Sequence, residues 1–155
     1  AGDPRLGVDR RELLRPGPSW TVDTLDALRV ELGDAAPLAL LLGADSFRSL
    51  PTWHAWLRLP QLAHFIVAGR VAGGGLDDLP AALAAMAAGR WARDPDELAR
   101  AAAGRLYALD QPLRAESASA VRRAIAAGDP AWHAWVPAPV AAFIEAAGLY
   151  RAPAP

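Results

Sequence analysis

An acidic residue follows an unbroken apolar run in the first third of the sequence. Residues 38–42 lead directly into Gly43, Ala44 and Asp45. Ligands of open parallel sheets lie just beyond the carboxyl ends of the strands. The carboxylate of Asp45 would then lie at the carboxyl end of this strand, and Gly43 would let a ligand come close to the backbone. Alternatively, Asp45 or Ser46 only caps a following helix.

A large aromatic residue stands at a predicted helix start, in the sequence Pro18-Ser19-Trp20-Thr21. The first N–H groups of a helix offer free donors and positive potential to an anion. A flat ring beside them could stack on a planar ligand. Alternatively, Trp20 packs on the core.

Two hydroxyl groups and an arginine lie close together at another predicted helix start. Ser117 and Ser119 precede Arg122 by about one turn. Such a group can hold a chain of phosphates. Alternatively, it is a plain capped helix with a solvated arginine.

The elements that must position these residues alternate between buried strands and helices. The run at 38–42 shows no alternation, which is typical of a central parallel strand buried on both faces. A second strand is predicted at 64–68, ending at Gly69-Arg70, and a third at 105–109. Strand, helix and strand in this order predict a βαβ unit with a right-handed crossover. Residues 6–8 are interpreted as the tail of a further short strand.

The helices are predicted from apolar spacing and end signals. The first begins at a cap formed by Ser19 or Thr21 and ends at Gly33. Two further helices are predicted, one from Pro51 and one over 80–88. A third runs from Asp94, with an N-terminal cap, to about Ala103, and a fourth from Ser117 or Ser119 to Gly128. The last helix has Val140, Phe143 and Ile144 as its apolar stripe.

Composition excludes several classes of function. The chain has 155 residues, 53% of them hydrophobic, which fits one domain with a real core. A formal net charge of −1 does not favour nucleic acid, and the apolar runs are too short to span a membrane. The absence of cysteine excludes disulfides and thiolate chemistry. No signal peptide is visible. The lack of cysteine is compatible with the cytoplasm, which is the expected location.

The tetrapeptide Trp-His-Ala-Trp occurs twice, at 53–56 and 132–135. Its flanking residues do not match, so it does not indicate an internal structural repeat. Without companion carboxylates or cysteines, the two histidines do not predict a metal site.

Taken in order, these segments resemble the bacterial nicotinate-nucleotide adenylyltransferase family. That family has Pro-Ser-Tyr-Thr with Asp-Thr-Leu, Gly-x-Asp-Ser, a tryptophan, an arginine after a strand, Ile-Ser-Ser/Ala-Thr-x-x-Arg and a closing Gly-Leu-Tyr. The matching segments are 18–25, 42–46, 50–53, 65–70, 117–122, 136–137, 140–144 and 148–151. The ordered set covers nearly the whole chain.

The resemblance implies a Rossmann-like nucleotidyltransferase fold, α/β with a parallel sheet. It implies transfer of AMP from ATP to nicotinate mononucleotide, giving deamido-NAD and pyrophosphate, with Mg²⁺ bound to ATP. The partners are therefore ATP and nicotinate mononucleotide, with no nucleic acid and no membrane. Two alternatives are a related adenylyltransferase with another acceptor, such as phosphopantetheine, and a non-catalytic mononucleotide-binding module.

The resemblance also implies roles for individual residues. The helix start at Thr21 would receive the nicotinate carboxylate, Trp53 would stack on the pyridine ring, and His54 would offer its backbone amide. Asp45 would bind ribose hydroxyls. The residues implied for nicotinate mononucleotide are Ser19, Trp20, Thr21, Trp53 and His54. Those implied for ATP and ribose are Gly43, Asp45, Arg70, Ser117, Ser119 and Arg122.

The sequence departs from the family at its front. The family begins with a strand and Gly-Gly-Thr/Ser-Phe-Asp-Pro-x-His-x-Gly-His, and no histidine of this chain has that context. Residues 1–151 are therefore interpreted as the C-terminal portion of one nucleotidyltransferase domain without a catalytic residue of its own, and 152–155 as a loose tail. The sheet would be incomplete, with an unpaired edge at 38–42. Glu116 replaces an apolar residue of the family and would repel phosphate unless it points away or lies near a metal ion.

Overall fold

The structure is a computed structural model that describes residues 3–69, 78–110 and 117–151. The chain forms two compact units, residues 1–112 and 113–155. The predictions that concern Arg70, Glu116 and the tail at 152–155 lie outside the described residues. The interpretation of residues 1–151 as one domain stays a prediction.

The first unit contains a parallel sheet of three strands in the order β1-β2-β3. The strands are β1 (Ala39–Gly43), β2 (His64–Gly69) and β3 (Leu106–Asp110). Leu42 lies opposite Val67, which in turn lies opposite Ala108. The predicted α/β fold with a parallel sheet is confirmed, and each strand begins and ends within one residue of its predicted bounds.

Strand β1 differs from the prediction in its surroundings. It was interpreted as central and buried on both faces, whereas β2 is the middle strand. Leu42 is only 6% exposed, but Leu41, on the opposite face, is 62% exposed. Among the described residues β1 pairs with β2 alone, so one edge is open. Within the described sheet β1 is thus an edge strand buried on one face only, which differs from the predicted burial on both faces, and it has the unpaired edge expected at 38–42.

Short helices connect the strands of the first unit. They are α1 (Arg11–Leu14), α2 (Thr21–Leu32), α3 (Ala44–Arg48), α4 (Leu59–Leu62) and α5 (Ala81–Ala87). Single or double 3₁₀ turns cover Leu50–Thr52, Trp56–Arg58 and Pro95–Arg100. No membrane-crossing segment is found, since every helix in the described part of the chain is too short or too polar for one.

Three local predictions were inaccurate. Residues 6–8 form no strand. The helix predicted from Pro51 is two 3₁₀ turns, because Ala55 has left-handed backbone angles (φ 49°, ψ 35°) and interrupts it. Asp94 is the predicted N-cap residue and forms a capping box with Glu97, but the helix is 3₁₀ and ends at Arg100.

Among the described residues of the first unit, the buried polar side chains are those of Arg29 and His64, and both bind backbone groups. The Arg29 guanidinium donates to the carbonyls of Leu62, Gly33, Ala36 and Ala102. The His64 ring accepts the Arg105 N–H at Nδ1 (2.9 Å), and its Nε2 lies 2.8 Å from the Ala101 carbonyl. Since a carbonyl only accepts, Nε2 carries the proton. Both residues therefore fasten loops to the sheet and to α2.

The second unit consists of α6 (Ala118–Ala126), a 3₁₀ segment (Pro130–Trp135) and α7 (Ala138–Ala146). Its small core comprises Val121, Ala124, Trp132, Ala141 and Ile144. The predicted stripe on α7 is only partly correct, because Val140 and Phe143 are 44% and 65% exposed. Helix α7 instead turns Ala141 and Ile144 towards Trp132.

An exposed ion pair links the 3₁₀ segment to α7. The Nε2 atom of His133 lies 2.8 Å from Glu145 Oε1, and its Nδ1 atom lies 2.8 Å from the Pro130 carbonyl oxygen. The Glu145 carboxylate, followed by the Pro130 carbonyl, raises the pKa of His133 above its ordinary value. The pair therefore favours the imidazolium, which donates from both nitrogens.

This pair predicts a pH-dependent stability. A histidine whose pKa is raised by folding stabilises the fold fully below its unfolded pKa of about 6.5, and the contribution is lost as pH rises through the raised value. We expect Glu145→Gln to lower the urea midpoint of the protein at about pH 6, with a smaller effect at about pH 8.5. Tryptophan fluorescence would report the transition. An equal effect at both pH values would contradict the prediction.

Candidate nucleotide-binding site

Two neighbouring segments of the first unit form a cleft of about 260 Å³. One segment enters α2, and the other follows the 3₁₀ turn at Leu50–Thr52. The residues that line the cleft are Ser19, Trp20, Thr21, Thr52, Trp53 and His54. The structure thus brings together all five residues that the resemblance implied for nicotinate mononucleotide. Thr52 was not singled out, although it directly precedes Trp53.

The helix start in this cleft is left open to an anion. The N-cap residue of α2 is Trp20, and no side chain caps the helix. Ser19 and Thr21, the predicted caps, do not perform this role, since the Ser19 hydroxyl donates instead to the Glu12 carbonyl (3.2 Å). In the described part of the chain, the N–H groups of Thr21 and Val22 have no acceptor. These donors and the helix dipole favour negative charge.

The aromatic rings of the cleft have different surroundings. Trp20 stacks on His54, with ring centroids 4.9 Å apart and an angle of 27° between the planes. Trp20 is 44% exposed, so the alternative that it belongs to the core is wrong. Trp53 is half-buried and packs against the core of the first unit. The imidazole therefore covers part of the Trp20 ring, and a planar ligand has Trp53 as its other aromatic surface.

The backbone turns sharply just after His54. Ala55 has a positive φ of 49°, a conformation that costs a residue with a Cβ atom about 1 kcal/mol or more. His54, which directly precedes this turn, lines the cleft together with the start of α2. Among the described residues the His54 N–H has no acceptor. This N–H is therefore a further free donor of the segment that lines the cleft.

Gly43 and Asp45 lie at the carboxyl end of β1. Gly43 ends the strand and is the N-cap residue of α3, with no side-chain cap. The alternative that Asp45 or Ser46 caps this helix is therefore wrong. A Cβ atom at Gly43 would meet nothing within 4 Å, so the backbone is accessible. Asp45, in the first turn of α3, is exposed, which leaves its carboxylate accessible at the edge of the sheet.

The residues implied for the ATP phosphates lie in the second unit. Ser117 is the N-cap residue of α6, and its hydroxyl accepts the Ala120 N–H (3.1 Å). Arg122 donates to the Ser119 hydroxyl (3.2 Å), and all three residues are exposed. Ser117 is thus a helix cap, as its alternative interpretation stated, while Arg122 is held beside Ser119. No cluster of metal-binding side chains occurs in the described ranges.

The fold and these sites define a class of protein. In the first unit, a three-stranded parallel sheet carries Gly43 at the end of a strand and Asp45 just after it, and α2 has an uncapped start, an arrangement consistent with a Rossmann-like nucleotidyltransferase fold. No protein-family model matches the chain. Curated relatives do match, and by their similarity the chain belongs to the nicotinate-nucleotide adenylyltransferase family.

Three relatives, each named a probable nicotinate-nucleotide adenylyltransferase, document this membership. The chain is 49% identical to the protein of Stenotrophomonas maltophilia, over 99% of this chain and 71% of the relative. It is 41% identical to the protein of Xylella fastidiosa, over 96% of this chain and 68% of the relative. It is 42% identical to the protein of Aeromonas salmonicida, over 98% of this chain and 69% of the relative. The resemblance inferred from the motifs is confirmed. The chain spans about 70% of the length of these relatives.

Proposed function

We propose that the full-length protein transfers AMP from ATP to nicotinate mononucleotide, which yields deamido-NAD and pyrophosphate in NAD biosynthesis. The observation that supports this most strongly is the cleft between the start of α2 and Trp53-His54. It combines free N–H donors with an aromatic wall, and the relatives' names specify an acceptor with a carboxylate on an aromatic ring. The reaction is assigned to the cytoplasm.

The cleft suits the acceptor in both charge and shape. The N–H groups of Thr21 and His54 would donate to the nicotinate carboxylate, and Trp53 would stack on the pyridinium ring. The amide analogue would bring an NH₂ donor towards N–H donors, so one contact would become repulsive. Ser19 and Trp20 would complete the wall on the side of α2.

Roles in binding ATP are proposed for the remaining residues of each unit separately. The Asp45 carboxylate would accept hydrogen bonds from ribose hydroxyls, with the backbone at Gly43 open to the nucleotide. Ser117, Ser119 and Arg122 would contact the phosphates, together with Arg70. Mg²⁺ would arrive bound to ATP, where it neutralises phosphate charge.

The reaction itself requires mainly alignment. A phosphate oxygen of the mononucleotide attacks the α-phosphorus of ATP, and pyrophosphate leaves on the opposite side. Such a transfer depends on holding the two nucleotides in line and on neutralising negative charge. Arginine and helix starts are the groups that this chain would contribute.

Release of pyrophosphate tests the proposal. With ATP and Mg²⁺, we expect the full-length protein to release pyrophosphate with nicotinate mononucleotide. We expect the 155 residues alone to release almost none, because they lack the His-x-Gly-His motif; measurable turnover by them would contradict this expectation. Release with phosphopantetheine instead would indicate a related transferase, and binding without release a non-catalytic module.

A further inference from the structure

The three histidines of the chain differ in whether their rings are free to bind a ligand. Both ring nitrogens of His64 are hydrogen-bonded to backbone groups, and both of His133 are hydrogen-bonded to Pro130 and Glu145. For His54 the structure shows only the stacking contact with Trp20, and within the described ranges neither ring nitrogen has a hydrogen-bond partner. His54 is therefore the histidine whose polar atoms remain available.

The position of His54 places its ring at the cleft that we propose for the pyridine ring. The side chain is exposed and lines the cleft with Trp20 and Thr21. The stack on Trp20, with ring centroids 4.9 Å apart, fixes the position of the imidazole. The ring is thus held where a charge would act on the ligand.

The charged residues of the surrounding elements have identifiable positions. Helix α2 carries Asp23 in its first turn. Asp26, also on α2, is paired with Arg58 at 3.0 Å. Arg15, before the helix, donates to the Thr24 hydroxyl at 3.4 Å. None of these charged residues lines the cleft, whose one titratable member is His54.

We propose that the imidazole of His54 makes the cleft select a pyridine nucleotide that carries a carboxylate over one that carries an amide. This inference rests on the proposed function and adds a specificity-determining side chain to it. The pyridine ring of either nucleotide is a cation, because its nitrogen bears the ribose. The nicotinate ring is therefore a zwitterion, whereas the nicotinamide ring has a net positive charge. An imidazolium attracts the carboxylate of the first and repels the second.

Selectivity should then depend on pH. Histidine changes its charge between about pH 5 and 8. The attraction to the carboxylate is present when the ring is protonated and is lost when it is neutral. Preference for the acid therefore increases as pH falls, on top of the pH-independent preference that the backbone N–H groups provide.

The test is the ratio of two dissociation constants, that of nicotinamide mononucleotide over that of nicotinate mononucleotide, in the full-length protein. Both ligands carry the same phosphate, so its titration cancels in the ratio. We expect the ratio to be about tenfold larger near pH 6 than near pH 8, the effect of one charge-assisted contact. In His54→Phe, which keeps an aromatic ring, the ratio should be equal at both pH values.

The second Trp-His-Ala-Trp segment supplies a matched control. His133→Phe changes the same residue of the same tetrapeptide, outside the proposed site, and should keep the pH dependence of the wild type. A ratio independent of pH in the wild type, or a pH dependence unchanged in His54→Phe, would overturn the inference.

A measurement on the unaltered protein avoids any effect of the substitution on folding. Calorimetric titrations near pH 7, in buffers of different ionisation enthalpy, count the protons taken up on binding. We expect the acid to cause uptake of roughly a few tenths of a proton more than the amide. Equal uptake would overturn the role of His54. Failure of both ligands to bind would contradict the proposed function itself.

Discussion

Replacing Trp53 by alanine is expected to reduce kcat/KM for nicotinate mononucleotide on the order of 100-fold, since stacking of an aromatic ring on a base contributes about 1–3 kcal/mol. The pyridinium ring is a cation, and its attraction to the indole face adds to the stacking. The loss should occur mainly in binding of the mononucleotide and leave the affinity for ATP nearly unchanged. Pyrophosphate release at varied acceptor concentration, with the full-length protein, measures the effect.

Trp56 provides the control for this substitution. Trp53 and Trp56 are both half-buried and pack against the same core, but only Trp53 lines the cleft. Trp56→Ala should therefore lower stability to a similar extent and change acceptor binding little. If the two variants lose acceptor binding equally, the effect is structural and the assignment of Trp53 to the ligand is wrong.

The second large effect is expected on stability, from Arg29→Met. Arg29 is 8% exposed, and its guanidinium donates to the carbonyl groups of four residues in three separate segments. Methionine retains the packing of the side chain but leaves those carbonyls without a donor. Each buried carbonyl without a donor costs about 1–3 kcal/mol, and relaxation recovers part of this. We expect a loss of about 3–5 kcal/mol in the free energy of unfolding, measured with urea.

Arg58→Met is the matched comparison for Arg29. Arg58 forms an ion pair with Asp26, and the two side chains are 55% and 38% exposed. An exposed pair of this kind contributes about 0–1 kcal/mol. If the two arginine variants lose a similar free energy of unfolding, the hydrogen bonds of Arg29 do not stabilise the fold as expected.

The three strands could be predicted because their signals are local. Each is a short apolar run between residues that break regular structure, and such a run does not depend on distant parts of the chain. Which neighbours a strand has is not a local property. The run at 38–42 has the composition of a central strand but lies at an edge of the described sheet. Similarly, Val140 and Phe143 have the right spacing for burial, but the position of Trp132 decides which face of α7 is covered.

The cleft could be predicted only in part. Helix-start chemistry indicated Trp20 and Thr21, whereas Trp53 and His54 were implied by the family pattern. The stacking of Trp20 on His54 joins residues 34 positions apart, and no local pattern reports such a contact. Arg29 had a signal that was overlooked, because it occupies position i+7 of the stripe that begins at Val22. A single arginine on an apolar helix face indicates a buried cation that requires acceptors.

The open edge of β1 affects how the chain behaves in concentrated solution. A strand edge without a neighbour exposes backbone donors and acceptors that can pair with any extended segment, including the same edge of a second molecule. Leu41 adds exposed apolar surface to that strand. Proteins commonly protect such edges with charge, proline or a bulge, and Ala39–Gly43 has none of these within it. For the isolated 155 residues, self-association therefore competes with the monomer as concentration rises.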